Sequence, residues 1–188
     1  MLGLNGVATG NADRNRPVHP SGWKETRFGG TVAVMIELFV DADACPVKDE
    51  IAKVAFRHGL DVHYVSNAFM RLPEGPKVHR VVVPDGPDKA DDWIAERASP
   101  SSIVVTADVP LAARCVKAGA KVTAHTGKPF SEANIGMTLA TRNLMQDLRE
   151  ANVMQTYNAG FTKQDRSRCL QTLEQMVQDL RRAGYGAI

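Results

Sequence analysis

The stretch Ile36-Glu37-Leu38-Phe39-Val40-Asp41-Ala42-Asp43-Ala44-Cys45-Pro46 constrains this chain more than any other. The residues at 36–40 are apolar but for Glu37, short enough for a buried strand, and the run stops where Asp41 begins. Pro46 suits the first turn of a helix, where its missing N–H would have no partner anyway. A strand running into a helix start belongs to an α/β sheet, and ligands of such sheets lie at the C-terminal ends of the parallel strands. Asp41 is expected on that rim. If the backbone stays extended for two more residues, Asp43 points to the same side, and two carboxylates that close repel unless a proton or a cation intervenes. A divalent metal resolves the conflict. The plainer reading makes one Asp a helix cap and leaves the other solvated.

The pattern recurs downstream. Residues 47–58 read as a helix, with Val47, Ile51, Val54 and Ala55 on one stripe and Gly59 closing it. Residues 61–66 alternate like a strand and end at Asn67 on the same rim, where that side chain either orients a water or phosphate or makes a turn. A strand over 78–83 precedes the loop Pro84-Asp85-Gly86-Pro87. The helix after it opens on Asp88-Lys89-Ala90-Asp91-Asp92, with Asp88 and Asp91 three apart on one face of the first turn. Capping and the helix dipole favour acids there too. The strand at 102–108 again ends on an acid, Asp108; a helix at 109–117 stops at Gly119, and a strand at 121–124 leads into a loop at 125–129.

The order β-α-β-β-α-β-α-β predicts an α/β fold of three layers around a mostly parallel sheet, with three separate segments bringing carboxylates to one edge. Two C-terminal helices complete it. One runs over 132–150, capped by Ser131; the other, over 164–182, carries Leu170, Leu173, Met176, Val177 and Leu180 on its apolar stripe. The loop between them has little pattern. Arg142, Arg149, Lys163, Arg166 and Arg168 either grip a phosphate backbone or are solvated.

At 188 residues and 44% hydrophobic content the chain suits one domain, placed at 35–182 with a tail at 183–188. It has no run of about 18 apolar residues, so no membrane span is expected. Cys45, Cys115 and Cys169 are odd in number, far apart and without a C-x-x-C pair. They read as the reduced thiols of a cytoplasmic protein rather than as a zinc site. Cys45, beside the proposed site, is either a thiol acidified by the helix start or a small capping residue. His58, His63, His79 and His125 show no ligand spacing and read as core or surface histidines.

The net charge of +2 conceals an asymmetry: residues 35–108 hold 8 Lys and Arg against 13 Asp and Glu, whereas 109–188 hold 11 against 6. An acidic half with a basic half is the polarity of a metal site beside a polyanion track, although solvated helix faces also produce it. Residues 1–34 are rich in Gly, Asn, Arg and Pro, sustain no period and contain no secretory h-region. They read as disordered or as an upstream extension, with Met35 a natural start, or else as an arm whose Arg14, Arg16, Lys24 and Arg27 touch phosphate.

Four blocks together carry a resemblance: Asp41-Ala42-Asp43-Ala44-Cys45-Pro46, Asp88-Lys89-Ala90-Asp91, Thr106-Ala107-Asp108-Val109-Pro110-Leu111-Ala112 and Thr141-Arg142-Asn143-Leu144-Met145-Gln146-Asp147-Leu148-Arg149. In order, over roughly 35–180, they resemble the signature blocks of the bacterial YaiI/YqxD family of PIN-like proteins. Asn143 departs from the pattern, standing where an acid is expected. The resemblance implies a PIN-like fold in which strand-end and helix-start carboxylates hold Mg²⁺ or Mn²⁺ for phosphodiester hydrolysis of RNA or a single strand. It carries Asp41 and Asp108 over as catalytic and metal-holding acids, with Asp88 and Asp91 as the middle acids and Asp43 as a further ligand. Asn67, Arg142 and Arg149 are the candidate substrate contacts.

Two alternatives stand beside it. In a phosphatase of haloacid-dehalogenase type Asp41 would be the nucleophile and Asp43 the acid, but that pattern favours a hydroxyl where this chain has Cys45, and it lacks a convincing downstream Lys. The other is a non-catalytic module that binds metal or nucleic acid.

Overall fold

Strands buried on both faces lose the polar-apolar alternation of a surface strand, and Ile103-Val104-Val105 is such a run, each residue fully buried. In the computed structural model, which describes residues 25–28, 31–43, 45–151 and 160–186, this run lies near the centre of the sheet. The elements in chain order are β1 (Glu25–Phe28), β2 (Thr31–Val34), β3 (Glu37–Asp41), α1 (Lys48–His58), β4 (Asp61–Ser66), β5 (Val78–Val82), α2 (Lys89–Arg97), β6 (Ser102–Val105), α3 (Val109–Lys117), β7 (Lys121–Thr123), β8 (Pro129–Phe130), α4 (Glu132–Glu150) and α5 (Lys163–Arg182). Six strands form one sheet in the order β5-β4-β3-β6-β7-β8, parallel except for β8.

Alternation along each strand divides the apolar residues between two cores. Leu38, Val40, Val62, Tyr64, Ile103 and Val105 pack with α1 and α5 on one face; Phe39, Val65 and Val104 pack with α2 and α3 on the other. The result is the three-layer α/β arrangement expected. The β4–β5 connection, residues 67–77, crosses the α1 face without a helix, held by buried Leu72 and half-buried Met70.

The α1–α5 joint adds a polar clamp. Glu174 of α5 takes both Arg57 and, at 2.6 Å, His58 of α1. Glu50 is 4% exposed and accepts from Arg166 Nη1 at 2.9 Å. Arg166→Ala is expected to cost about 1 kcal/mol, because a buried carboxylate loses its partner while water reaches the vacated half-exposed site. Urea unfolding measures this, and an unchanged midpoint would mean that the pair contributes nothing.

Several sequence expectations need correction. The chain leaves the sheet at Val105, not Asp108, and β8 occupies part of the expected loop at 125–129. The first 34 residues include an antiparallel ribbon, β1 with β2. The tail is partly packed: Gly186 N–H donates to Val34 C=O at 2.9 Å, and half-buried Tyr185 rests on the α1–α5 core. A Cβ on Gly186, whose φ is +65°, would come within 3.1 Å of Ile36, so this close approach suits glycine. The expectations for Arg14, Arg16 and Lys24, and for the loop at 152–159, lie outside the described residues.

Candidate metal centre

In a wound parallel sheet the crevice opens where neighbouring strands send their connections to opposite faces. Here those strands are β3, followed by α1 on one face, and β6, followed by α3 on the other. Asp41 ends β3, and Thr106, Ala107 and Asp108 follow β6, so the switch point falls between the two acids.

Just past β6, the Thr106 N–H still donates to the Thr123 carbonyl at 3.1 Å, which leaves its hydroxyl for the acids. Its Oγ1–H donates to Asp41 Oδ2 at 2.9 Å, while the same oxygen accepts the Asp108 N–H at 3.0 Å. One hydroxyl thus ties the two strand ends together. Asp108 is the N-cap of α3, its Oδ2 accepting the Leu111 N–H at 2.8 Å, with proline in the first turn. Capping does not preclude a site role, since a carboxylate that caps with one oxygen keeps the other.

The expected extended run from Asp41 to Asp43 does not form, because the chain turns at Asp43. The two acids remain neighbours, with the Asp43 N–H donating to the Asp41 carboxylate and Asp43 Oδ2 accepting the Asn67 N–H at 3.2 Å. Burial raises the pKa of Asp41; the Thr106 hydroxyl opposes that, and the charges of Asp43 and Asp108 add to the rise.

Asp91, in the first turn of α2, is pushed up to about 6 by burial and then by Asp108, Asp41 and Asp88, with Arg114 opposing. The five acids therefore form one electrostatic cluster. Arg114 is already engaged by Asp92 at 2.9 Å, a pair that joins α2 to α3. Asp88 differs from expectation. It stands just before α2 in a left-handed conformation, φ 59°, without a side-chain capping bond, instead of sharing the first helical turn with Asp91. Asp is among the few side chains that tolerate this region, and the preceding Gly86-Pro87 turn delivers the chain there.

Hard dications take oxygen ligands, and Mg²⁺ needs only one or two carboxylates beside its waters. The donor set fits: five carboxylates, and a buried Asn67 Oδ1 with no hydrogen-bond partner among the described residues. As the side chains lie, no three acid, His or Cys groups among the described residues converge closely enough to enclose an ion. Carboxylates without a cation between them stand apart by repulsion, and Asp43 and Asp108 each spend an oxygen on a backbone N–H.

The remaining expectations divide. Arg142 is exposed and bonds its neighbour Asn143 at 3.3 Å; Arg149 is exposed on the same helix, and no described contact links either to the acids. Arg166 and Arg168 are in ion pairs with Glu50 and Asp165. Cys45 is not acidified: burial pushes its thiol up to about 11 against the pull of the Val47 N–H and Lys48. His125, read from sequence as core or surface, lines a small cavity with Asp41, Cys45 and Thr106. Its proximity depends on β6 and β7 being neighbours, which no local spacing reveals.

The comparisons agree with this architecture in extent. The model of the "Uncharacterized BCR, YaiI/YqxD family" matches residues 39–179, from β3 through most of α5. A "UPF0178 protein" of Parvibaculum lavamentivorans is 57% identical over 79% of this chain and 97% of its own length. One from Rhodopseudomonas palustris is 58% identical over 80% of this chain and 97% of its own, and one from Azorhizobium caulinodans is 59% identical over 80% and 94%. No solved structure matches. A family match spanning every acid of the cluster, with relatives this similar along nearly their whole length, means that the chain belongs to the YaiI/YqxD family.

Proposed function

We propose that the protein is a Mg²⁺- or Mn²⁺-dependent nuclease that hydrolyses phosphodiester bonds of RNA or another single strand. The observation that carries this reading is the cluster at the switch point, where Thr106 bridges Asp41 and Asp108 and Asp91 shares their electrostatic field. When bound, the dication supplies positive charge against the phosphate and makes a water acidic enough to attack it. Asp41, Asp43, Asp91 and Asp108 would hold it, with Asp88 and Asn67 beside them. Thr106 keeps Asp41 from swinging away, and the cap on α3 fixes the rotamer of Asp108.

The direct test is cleavage of end-labelled single-stranded RNA and DNA by the purified protein with Mn²⁺ or Mg²⁺, beside a chelator control. Metal-dependent cleavage is expected. A folded protein that binds Mn²⁺ yet cuts no strand would overturn the nuclease reading.

A further inference from the structure

The acidic site alone repels a polyanion, so a nucleic-acid strand needs cationic and stacking contacts nearby to approach it. Such contacts lie along the β4–β5 connection. Phe69 is 76% exposed, an aromatic side chain mostly in water. The Arg80 guanidinium lies 4.2 Å from its ring centroid. With Arg80 over one face and most of the residue solvated, the other face is open. Register places Arg80 beside Tyr64, whose side chain is in the α1–α5 core, so the Phe69–Arg80 stack belongs to the α1 face of the sheet edge.

On that same face is a cleft of about 630 Å³, between the start of α1, with Lys48 and Asp49, and the loop residues Arg71, Leu72 and Glu74. Its size falls in the range of small-molecule sites. Cys45 lines both this cleft and the small cavity beside Asp41 and Thr106, so a single buried side chain stands between the cleft and the acids. Lys48 uses one donor on the Cys45 carbonyl at 2.9 Å and has two more. Arg71 is exposed, with no hydrogen-bond or ion-pair partner among the described residues.

We propose that residues 67–77, with Lys48 opposite them, form a landing surface for a single strand: Phe69 stacks a nucleobase, and Lys48 and Arg71 hold the neighbouring phosphate in the cleft that Cys45 separates from the acids. The assignment rests on the nucleic-acid reading above and deepens it. A base paired inside a duplex cannot present its face to a side chain, so the surface selects unpaired bases. Asp49 and Glu74 on the cleft wall suit the amino edges of a base, which donate to carboxylates.

The test is fluorescence anisotropy of a labelled RNA 8-mer, with the full chain, in EDTA and in a second arm with Ca²⁺. Phe69→Ala is expected to weaken binding at least about fivefold, the low end of what one stacked base contributes. Arg71→Ala should lower the slope of log K against log salt by about one. Lys121→Ala, exposed at the opposite end of the sheet, should change neither. Both test side chains are exposed, and matching circular dichroism melts confirm that the variants fold.

Wild-type protein that binds no single strand in either arm, or Phe69→Ala and Arg71→Ala that bind as wild type does, overturns the assignment. Cleavage measured separately with Mn²⁺ distinguishes the two readings. Cleavage with binding indifferent to Phe69 removes the landing surface alone, and Phe69-dependent binding without cleavage removes the nuclease reading alone.

Discussion

Asp108→Asn is expected to lower metal-dependent cleavage by ~10³-fold or more while leaving stability unchanged within a few tenths of a kcal/mol. Asn caps helices about as well as Asp, so the bond from the Leu111 N–H survives and α3 starts where it did. What disappears is one negative charge from the cluster and with it a ligand for a hard cation. Asp108→Ala removes cap and charge together and should lose about 1 kcal/mol of stability besides. Comparing the two variants separates the structural role of Asp108 from its chemical one. Thr106→Val is the companion test. It keeps the shape of the side chain and removes the hydroxyl that joins Asp41 to the Asp108 N–H, so Asp41 is left free to turn. A loss of about 10²-fold is expected from misplacing one group of a preorganised site. Steady-state cleavage rates at saturating Mn²⁺ and thermal melts of the three variants measure both effects. Asp108→Asn that retains cleavage within tenfold of wild type would take Asp108 out of the site.

The capping of α3 by Asp108 also shows what local pattern can and cannot reveal. The strand and helix cores were legible because apolar runs and stripes carry their own periods and are punctuated by Gly59, Gly119 and the loop at 84–87. The element order already brings Asp41, Asp91 and Asp108 to one edge of the sheet. The hydroxyl that joins two of them is not visible in any local spacing. Asp41 and Thr106 are 65 residues apart and meet only because β3 and β6 pair. His125 reaches the same cavity only because β7 lies beside β6.

Short edge elements failed for a different reason. β8 is two residues long and begins with a proline, which edge strands tolerate but which reads as loop. β1 and β2 are four residues each, too short to sustain a period, although Gly29-Gly30 between them is a hairpin signal. The spacing of Asp88 to Asp91 suits a helical turn, whereas the turn before Asp88 sets its backbone in the left-handed region. The charge asymmetry was real but coarse. Several cations of the basic half hold the fold together, Arg166 on Glu50 above all, while Lys48, Arg71 and Arg80 of the acidic half lie on the α1 face of the sheet.

Adding Mn²⁺ at pH 7 is expected to raise the melting temperature by several degrees, and Asp91→Asn should abolish much of that gain while melting higher than wild type in chelator. The unfolded Asp91 titrates near 3.8 and the folded one near 6. Between those values the folded state binds more protons than the unfolded state, so stability falls as pH rises from about 4 to about 6 and stays low above that. Taken at face value the rise would cost about 3 kcal/mol at neutral pH. Asp91 is only half-buried, and water screens its neighbours' charges, so about 1 kcal/mol is the expected penalty. Asn removes the charge and the penalty together.

A dication removes the penalty differently, by supplying the opposite charge, and at about a hundred times its dissociation constant a ligand specific for the folded state adds about 2.7 kcal/mol. For a chain of this size each kcal/mol moves the midpoint by about 2–4 °C. Scanning calorimetry of both proteins at pH 5 and pH 7, with EDTA and with Mn²⁺, gives the full set of comparisons. If Asp91→Asn and wild type melt together in EDTA at both pH values, Asp91 does not carry the strain assigned to it. If Mn²⁺ moves neither, the acids do not bind the ion. A melting gain with Mn²⁺ that Asp91→Asn lacks would place the ion among these carboxylates, because a cation relieves a repulsion that the neutral side chain no longer contributes.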